Sequence, residues 1–180
     1  MLSAVATPAF ELPPGLASQG HVLRRETDDD IPFLLTLYAS TREQELAPLS
    51  WSAEQKHAFL ASQFQAQRRH YRSYFADCAF DILTCRGVAF GRLYLDARPS
   101  CLHIVDIALM PEWRGKGVGT AVLTALQEAG RASGKAVDIF VEKFNPALRL
   151  YRRLGFTDLA DHGVYLEMEW QPPRDQLKTA

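Results

Sequence analysis

The sequence is poor in cysteine, in net charge and in long apolar runs, and each shortage removes a class of protein. Its three cysteines, Cys78, Cys85 and Cys101, are an odd number without C-x-x-C spacing. That argues against a disulfide framework and a zinc site, and no metal is expected; the setting implied is a reducing cytoplasm. The 20 Lys and Arg residues nearly match the 21 Asp and Glu, for a formal net charge of −1. Such balance gives no general reason to expect a nucleic-acid partner or an anionic membrane surface. No apolar run reaches the ~18 residues of a membrane span. The stretch 1–20 lacks the charged start and sustained apolar block of a secretory leader. Rich in Ala, Pro and Gly, it reads as a loose arm. Repeats and low-complexity segments are also missing. The remaining chain suits one domain over residues 21–170, with a polar tail over 171–180.

What is present is a change of period along the chain. His21 to Glu26 reads as a short strand. Thr27-Asp28-Asp29-Asp30 then places carboxylates at a helix start, and Ile31, Leu34, Leu35 and Tyr38 follow on one helical face. Ser52-Ala53-Glu54-Gln55 has the S-x-x-Q form of a capping box, opening a helix to about Arg69. Three β-rich runs come next: Tyr74–Leu83, Val88–Leu95 with Gly91 as a candidate bulge, and Cys101–Leu109. They read as an antiparallel meander. Val118, Ala121, Val122, Ala125, Leu126 and Ala129 recur at helical spacing, with Gly130 and Gly134 marking the end. Ala136 to Val141 is a strand, so strand–turn–helix–strand makes a βαβ unit with a parallel pair. A short helix over Pro146–Leu154 and strands Phe156–Leu159 and Val164–Trp170 complete an α+β fold.

Between the third run and the following helix lies Leu109-Met110-Pro111-Glu112-Trp113-Arg114-Gly115-Lys116-Gly117-Val118-Gly119-Thr120. A strand feeding a glycine-rich turn that opens a helix is an anion site, because free N–H groups and the positive end of the helix dipole meet there. It is not a Walker A loop: Gly117 follows Lys116 where that motif needs Ser or Thr. Nor is it G-x-G-x-x-G, since its glycines alternate at 115, 117 and 119 and no acidic residue is placed as a ribose ligand.

Arg114 to Gly119 fits R-x-x-G-x-G and resembles the acetyl-CoA pyrophosphate loop of the GNAT superfamily of N-acyltransferases. A second block, Asn145-Pro146-Ala147-Leu148-Arg149-Leu150-Tyr151-Arg152-Arg153-Leu154-Gly155-Phe156, is similar to that family's N-x-A-x-x-L-Y-x-x-x-G-F segment. The resemblance spans roughly residues 21–170. It implies a three-layer α/β arrangement: a mixed, mostly antiparallel sheet of six to seven strands, a central parallel pair and about four helices.

The resemblance also implies a set of sites. The fourth strand splays from the fifth, and backbone groups near Ile107, Ala108 and Leu109 pair with pantetheine. The pyrophosphate lies on the N–H groups of Arg114, Gly115, Lys116, Gly117, Val118, Gly119 and Thr120, with Asn145 contributing to the cofactor site or capping the next helix. Tyr151 matches the family's tyrosine acid for the departing thiolate. Asp106 and His103 are candidate bases on the strand that ends at the site. Three positions apart, they face opposite sides of a regular strand unless a bulge intervenes. Glu142, after the fifth strand, and Glu43, after the first helix, are further acidic candidates, and a water relay without a dedicated base fits equally. The implied reaction moves an acetyl group from acetyl-CoA to a primary amine of a small molecule or peptide. An idle acyl-CoA-binding module and a nucleotide-binding domain are the alternatives. Domains of this kind are often homodimers.

Overall fold

A computed structural model describes residues 10–173. Its seven-stranded sheet has the order β1-β2-β3-β4-β5-β7-β6, built from β1 (His21–Arg25), β2 (Ala79–Cys85), β3 (Val88–Ala97), β4 (Cys101–Leu109), β5 (Ala136–Glu142), β6 (Thr157–His162) and β7 (Tyr165–Trp170). Every neighbouring pair is antiparallel except β4–β5. That exception follows from α4 (Val118–Ser133), the crossover that a parallel pair requires.

The helix starts follow local chemistry. α2 (Ile31–Leu46) is entered through a turn in which Asp30 Oδ2 accepts the Thr27 N–H at 2.8 Å. The Arg24 guanidinium grips both Asp30 oxygens at 2.7 and 2.8 Å. α3 (Ala53–Tyr74) carries the capping box at Ser52 and Gln55, each backbone N–H donating to the other's side chain. α3 runs beyond the expected Arg69 to Tyr74, and β2 begins only at Ala79. Tertiary contacts explain the extension. Phe64, Gln67, Arg68 and Tyr71 recur on one helical face and reach the sheet, so the packed face overrides the β propensity of Tyr74 and Phe75.

Two layers flank the sheet. α2 and α3 cover β2–β4 on one face, where Leu34, Tyr38, Phe64 and Ile82 form a compact cluster. On the other face lie α1 (Pro14–Ala17), α4 and α5 (Leu148–Arg153) over the larger core, which includes Leu93, Ile104, Val122, Leu126, Val137 and Met168. The first twenty residues are not loose throughout. Phe10 and Leu16 are buried in the larger core, and the buried His21 Nδ1 is 3.1 Å from the Leu16 carbonyl. Two apolar side chains bury enough area to hold a short segment that its Pro and Gly content alone would leave open. Residues 1–9 of the expected arm and 174–180 of the expected tail lie outside the described residues.

Two bulges shape β3 and β4. Opposite β2, Phe90 is the extra residue beside Gly91. A Cβ at Gly91 would stand 2.7 Å from the Ala108 carbonyl oxygen, so glycine here permits β4 to lie close. In β4 the register with β3 shifts between Asp106 and Ile104, leaving Val105 unpaired.

Candidate functional site

The parallel pair is incomplete. β4 and β5 are in register from Cys101↔Ala136 to Ile104↔Ile139 and no further, although β4 runs on to Leu109 and β5 to Glu142. The separation begins next to the unpaired Val105. Past it, backbone groups of β4 on the β5 side lack a strand partner, which leaves a wedge at the C-terminal ends of two parallel strands. The Ala108 carbonyl is directed at β3, beside Gly91. By alternation, the backbone groups of Ile107 and Leu109 are those turned toward the wedge.

The Val105 bulge decides which side chains enter the wedge from the α2–α3 face. His103 lies opposite Asp96 and Asp106 opposite Tyr94, so the extra residue brings both to one face instead of opposite faces. Asp106 reaches the wedge. Its Oδ2 accepts from Arg92 at 2.8 Å and from the Tyr71 hydroxyl at 2.9 Å. Oδ1 has no partner among the described residues and is not sealed. Burial alone would lower the Arg92 pKa, but Asp106 and the neighbouring tyrosines outweigh it and hold the guanidinium above its usual range. Asp106 thus has one oxygen fixed and one open.

His103 is not brought to the wedge. It lies where β4 and β5 are still paired and is only 3% exposed. Its Nδ1 is 2.8 Å from Asp138 Oδ2, and its ring stacks on Phe75 with centroids 5.7 Å apart. Burial alone would raise Asp138, but the hydrogen bond and charge of His103 outweigh it and hold the carboxyl below its usual pKa. The expected candidate base His103 therefore lies in the closed part of the strand pair, apart from Asp106 at its open end. Glu43 is exposed within α2 rather than after it.

Tyr151, on α5, reaches the wedge from the opposite face. It is 3% exposed and its ring meets Phe156 edge-on. Its hydroxyl has no hydrogen-bond partner among the described residues, yet it is not among the sealed, unpartnered polar atoms. Burial, with a smaller contribution from the Asp106 charge, pushes its pKa above the ordinary tyrosine value. The phenol therefore stays protonated near neutrality. α5 ends on Gly155 at φ +85°, with the Phe156 N–H returning to the Tyr151 carbonyl.

The glycine turn lies at the mouth of the wedge. Gly115 and Gly117 have φ of +71° and +83°, and a Cβ on either would meet nothing within 4 Å. The requirement is the left-handed backbone itself, not crowding. Gly117 precedes α4 with no side-chain cap, and the first bond into the helix is from the Ala121 N–H to the Gly117 carbonyl. The N–H groups of Gly115, Lys116, Gly117, Val118, Gly119 and Thr120 have no protein acceptor among the described residues. Such a row at a helix N-terminus fits an anion. Arg114 differs from the rest of the set. Its N–H already donates to the Pro111 carbonyl. Its guanidinium donates to the Leu109 carbonyl at 2.8 Å and to Ser40 Oγ at 3.0 Å, so its side chain ties the loop to β4 and α2. The Lys116 ammonium sits 5.8 Å from the centre of the Trp113 ring. Asn145 is occupied locally: its Oδ1 accepts the Ala147 N–H at 2.8 Å and its carbonyl accepts the Leu148 N–H. It shapes the start of α5. That helix begins at Leu148, two residues later than the expected Pro146.

Sequence reasoning missed Arg92 and Arg42 as members of this neighbourhood, and it offered Tyr71 only as one of several aromatics that could line an acceptor pocket. Tyr71 and Arg92 hold Asp106, and Arg42, on α2, binds Glu142 through two bonds of 2.9 and 3.2 Å. An arginine inside an apolar strand, Arg92 between Gly91 and Leu93, was the one available signal, because a buried cation requires a buried anion.

Comparison with known proteins gives the family. Residues 36–156 match the model of the acetyltransferase (GNAT) family. An N-alpha-acetyltransferase of Sulfurisphaera tokodaii is 35% identical over 60 residues, which are 32% of this chain and 36% of that protein. The mycothiol acetyltransferase of Corynebacterium aurimucosum is 30% identical over 88 residues, 48% of this chain and 29% of that protein. The chain thus matches about a third of the length of each of these relatives. Among solved structures, the PaiA N-acetyltransferase of Thermoplasma acidophilum in complex with coenzyme A superimposes with a TM-score of 0.62 at 16% identity. The superposition covers 84% of this chain and 98% of that one. The wedge, the glycine turn and the family match over most of the domain lead to one assignment: the chain belongs to the GNAT acetyltransferase family.

Proposed function

We propose that the protein transfers an acetyl group from acetyl-CoA to a primary amine of a small molecule or peptide, by direct attack with both substrates bound. The observation that carries this reading is the row of six unpaired N–H groups at the mouth of a wedge that Tyr151 and Asp106 enter from opposite faces. The fit to the donor is chemical: orphan donors and a helix N-terminus suit a pyrophosphate, and the open backbone groups of Ile107 with the Leu109 N–H suit the amides of a pantetheine arm.

Acetyl-CoA supplies an activated acyl group as a thioester. The chain's residues have three tasks. Backbone N–H groups from Gly115 to Thr120 anchor the donor. Asp106 Oδ1, held in place through Oδ2 by Arg92 and Tyr71, receives the amine proton, directly or through a water. Tyr151 gives its phenolic proton to the leaving sulfur as the new C–N bond replaces the C–S bond, and regains it from solvent. Asp106 and Tyr151 are therefore base and acid on the two sides of one wedge.

The test is binding followed by turnover. Acetyl-CoA at 100 times its dissociation constant should stabilise the fold by about 2.7 kcal/mol, while ATP and NAD should not. CoA release with a panel of primary amines should fall about 100-fold in Tyr151→Phe without loss of CoA affinity. Binding of CoA with no turnover on any amine would sink the catalytic reading and leave an acyl-CoA-binding module.

A further inference from the structure

Beyond Ile104 and Ile139 no backbone bond joins β4 to β5, so something else must set the width of the wedge. On the α2–α3 face, among the described residues, one charged contact crosses it. Arg42 Nη2 and Nη1 bind Glu142 Oε1 and Oε2 at 2.9 and 3.2 Å, and Arg42 also binds Glu45. The Arg42 guanidinium lies 5.6 Å from the centre of the Tyr38 ring, and its Nε is sealed without a partner. Glu142 is the last residue of β5, and the Tyr165 hydroxyl stands 3.5 Å from it.

The same helix is attached on the other side. Ser40 Oγ accepts from Arg114, which also holds the Leu109 carbonyl at the end of β4. Ser40 and Arg42 are two positions apart, so their side chains leave α2 about 200° apart around its axis. One turn of α2 therefore lies between the end of β4 with its glycine turn and the end of β5.

From this we propose that the second half of α2 is a brace across the wedge, and that Arg42 is a positioning residue. By holding Glu142, it fixes the end of β5 relative to the glycine turn and so sets the gap in which a donor's pantetheine arm would lie. The inference rests on the proposed function for what enters the gap, but not for the brace itself. It also changes the part given to Glu142. A carboxylate engaged through both oxygens by an arginine is a strut, and the acceptor's ammonium is left to Asp106.

The test uses the full chain in four forms: wild type, Arg42→Gln, Glu142→Gln, and the reciprocal Arg42→Glu with Glu142→Arg. Without ligand, amides of Ser40–Leu46 and Phe140–Glu142 should exchange hydrogen faster in both single variants and return toward wild type in the reciprocal pair. With CoA as the probe, calorimetry should show each single variant weakened about fivefold, the reciprocal pair recovering most of the loss. Unchanged exchange in both single variants overturns the brace, as does a loss that charge reversal does not repair. If Arg42→Gln does not fold, Glu142→Gln decides alone, since it removes a charge from a half-buried strand end. Failure of wild type to bind CoA counts against the proposed function only, because the exchange measurement needs no ligand.

Discussion

β4 and β5 are one parallel pair with two different ends. At the closed end, Cys101–Ile104 lie in register with Ala136–Ile139, and the carboxylate there, Asp138, is enclosed with His103. At the open end the strands part, and the carboxylate there, Asp106, keeps one oxygen free. Both carboxylates face the α2–α3 side, both have a basic partner at 2.8 Å, and only one can meet a ligand. An ionisable group in a sheet therefore gains a functional position from unpaired backbone beside it as much as from its own environment. The closed end supplies the rigidity that lets the open end remain open.

The comparison can be broken most severely at Val105. Deleting it removes the extra residue but leaves Ile104 opposite Leu95 and Asp106 opposite Tyr94, so every side chain keeps its face while the bulge itself is lost. With the irregularity at the start of the wedge removed, we expect CoA binding to fall below detection by calorimetry while the chain still unfolds cooperatively in urea. Arg92→Met removes the fixed partner of Asp106 and leaves a part-buried carboxylate held by Tyr71 alone. Breaking such a pair costs about 3–5 kcal/mol, again read by urea unfolding.

Asp138→Asn tests the closed end. It should cost about 1–3 kcal/mol while CoA affinity stays at the wild-type value. Because Asp138 titrates lower in the folded state than in the unfolded chain, its contribution is present above a pH of about 4 and fades as pH falls further. The acid limb of a stability–pH curve should accordingly be shallower in Asp138→Asn. The mildest change, Gly117→Ala, forces an L side chain to φ +83°. It should cost about 1–2 kcal/mol and weaken CoA binding, since the strain falls on the backbone that presents the N–H row.

Much of this was legible in the residues. The glycine turn, the capping box at Ser52 and the βαβ unit depend on local chemistry, and local chemistry is written in consecutive residues. The wedge was implied by family resemblance, not by any property of β4 alone. The Val105 bulge had no signal, because its neighbours are ordinary strand formers and only pairing with β3 exposes the extra residue. The same limit hid Arg42–Glu142, whose partners are 100 positions apart. It also hid the packing of Phe10 and Leu16, where two buried apolar side chains outweigh a composition rich in Pro and Gly.

The Val105 bulge makes β4 a strand with two parities. Up to it, the core-facing side chains are the even-numbered Leu102 and Ile104; beyond it they are the odd-numbered Ile107 and Leu109. A saturation scan of β4 should thus find intolerance to charge at even positions, then at odd ones, with the switch falling within a single residue. The parity of a position, read from the bulge outward, tells whether a substitution there strikes the core or the wedge.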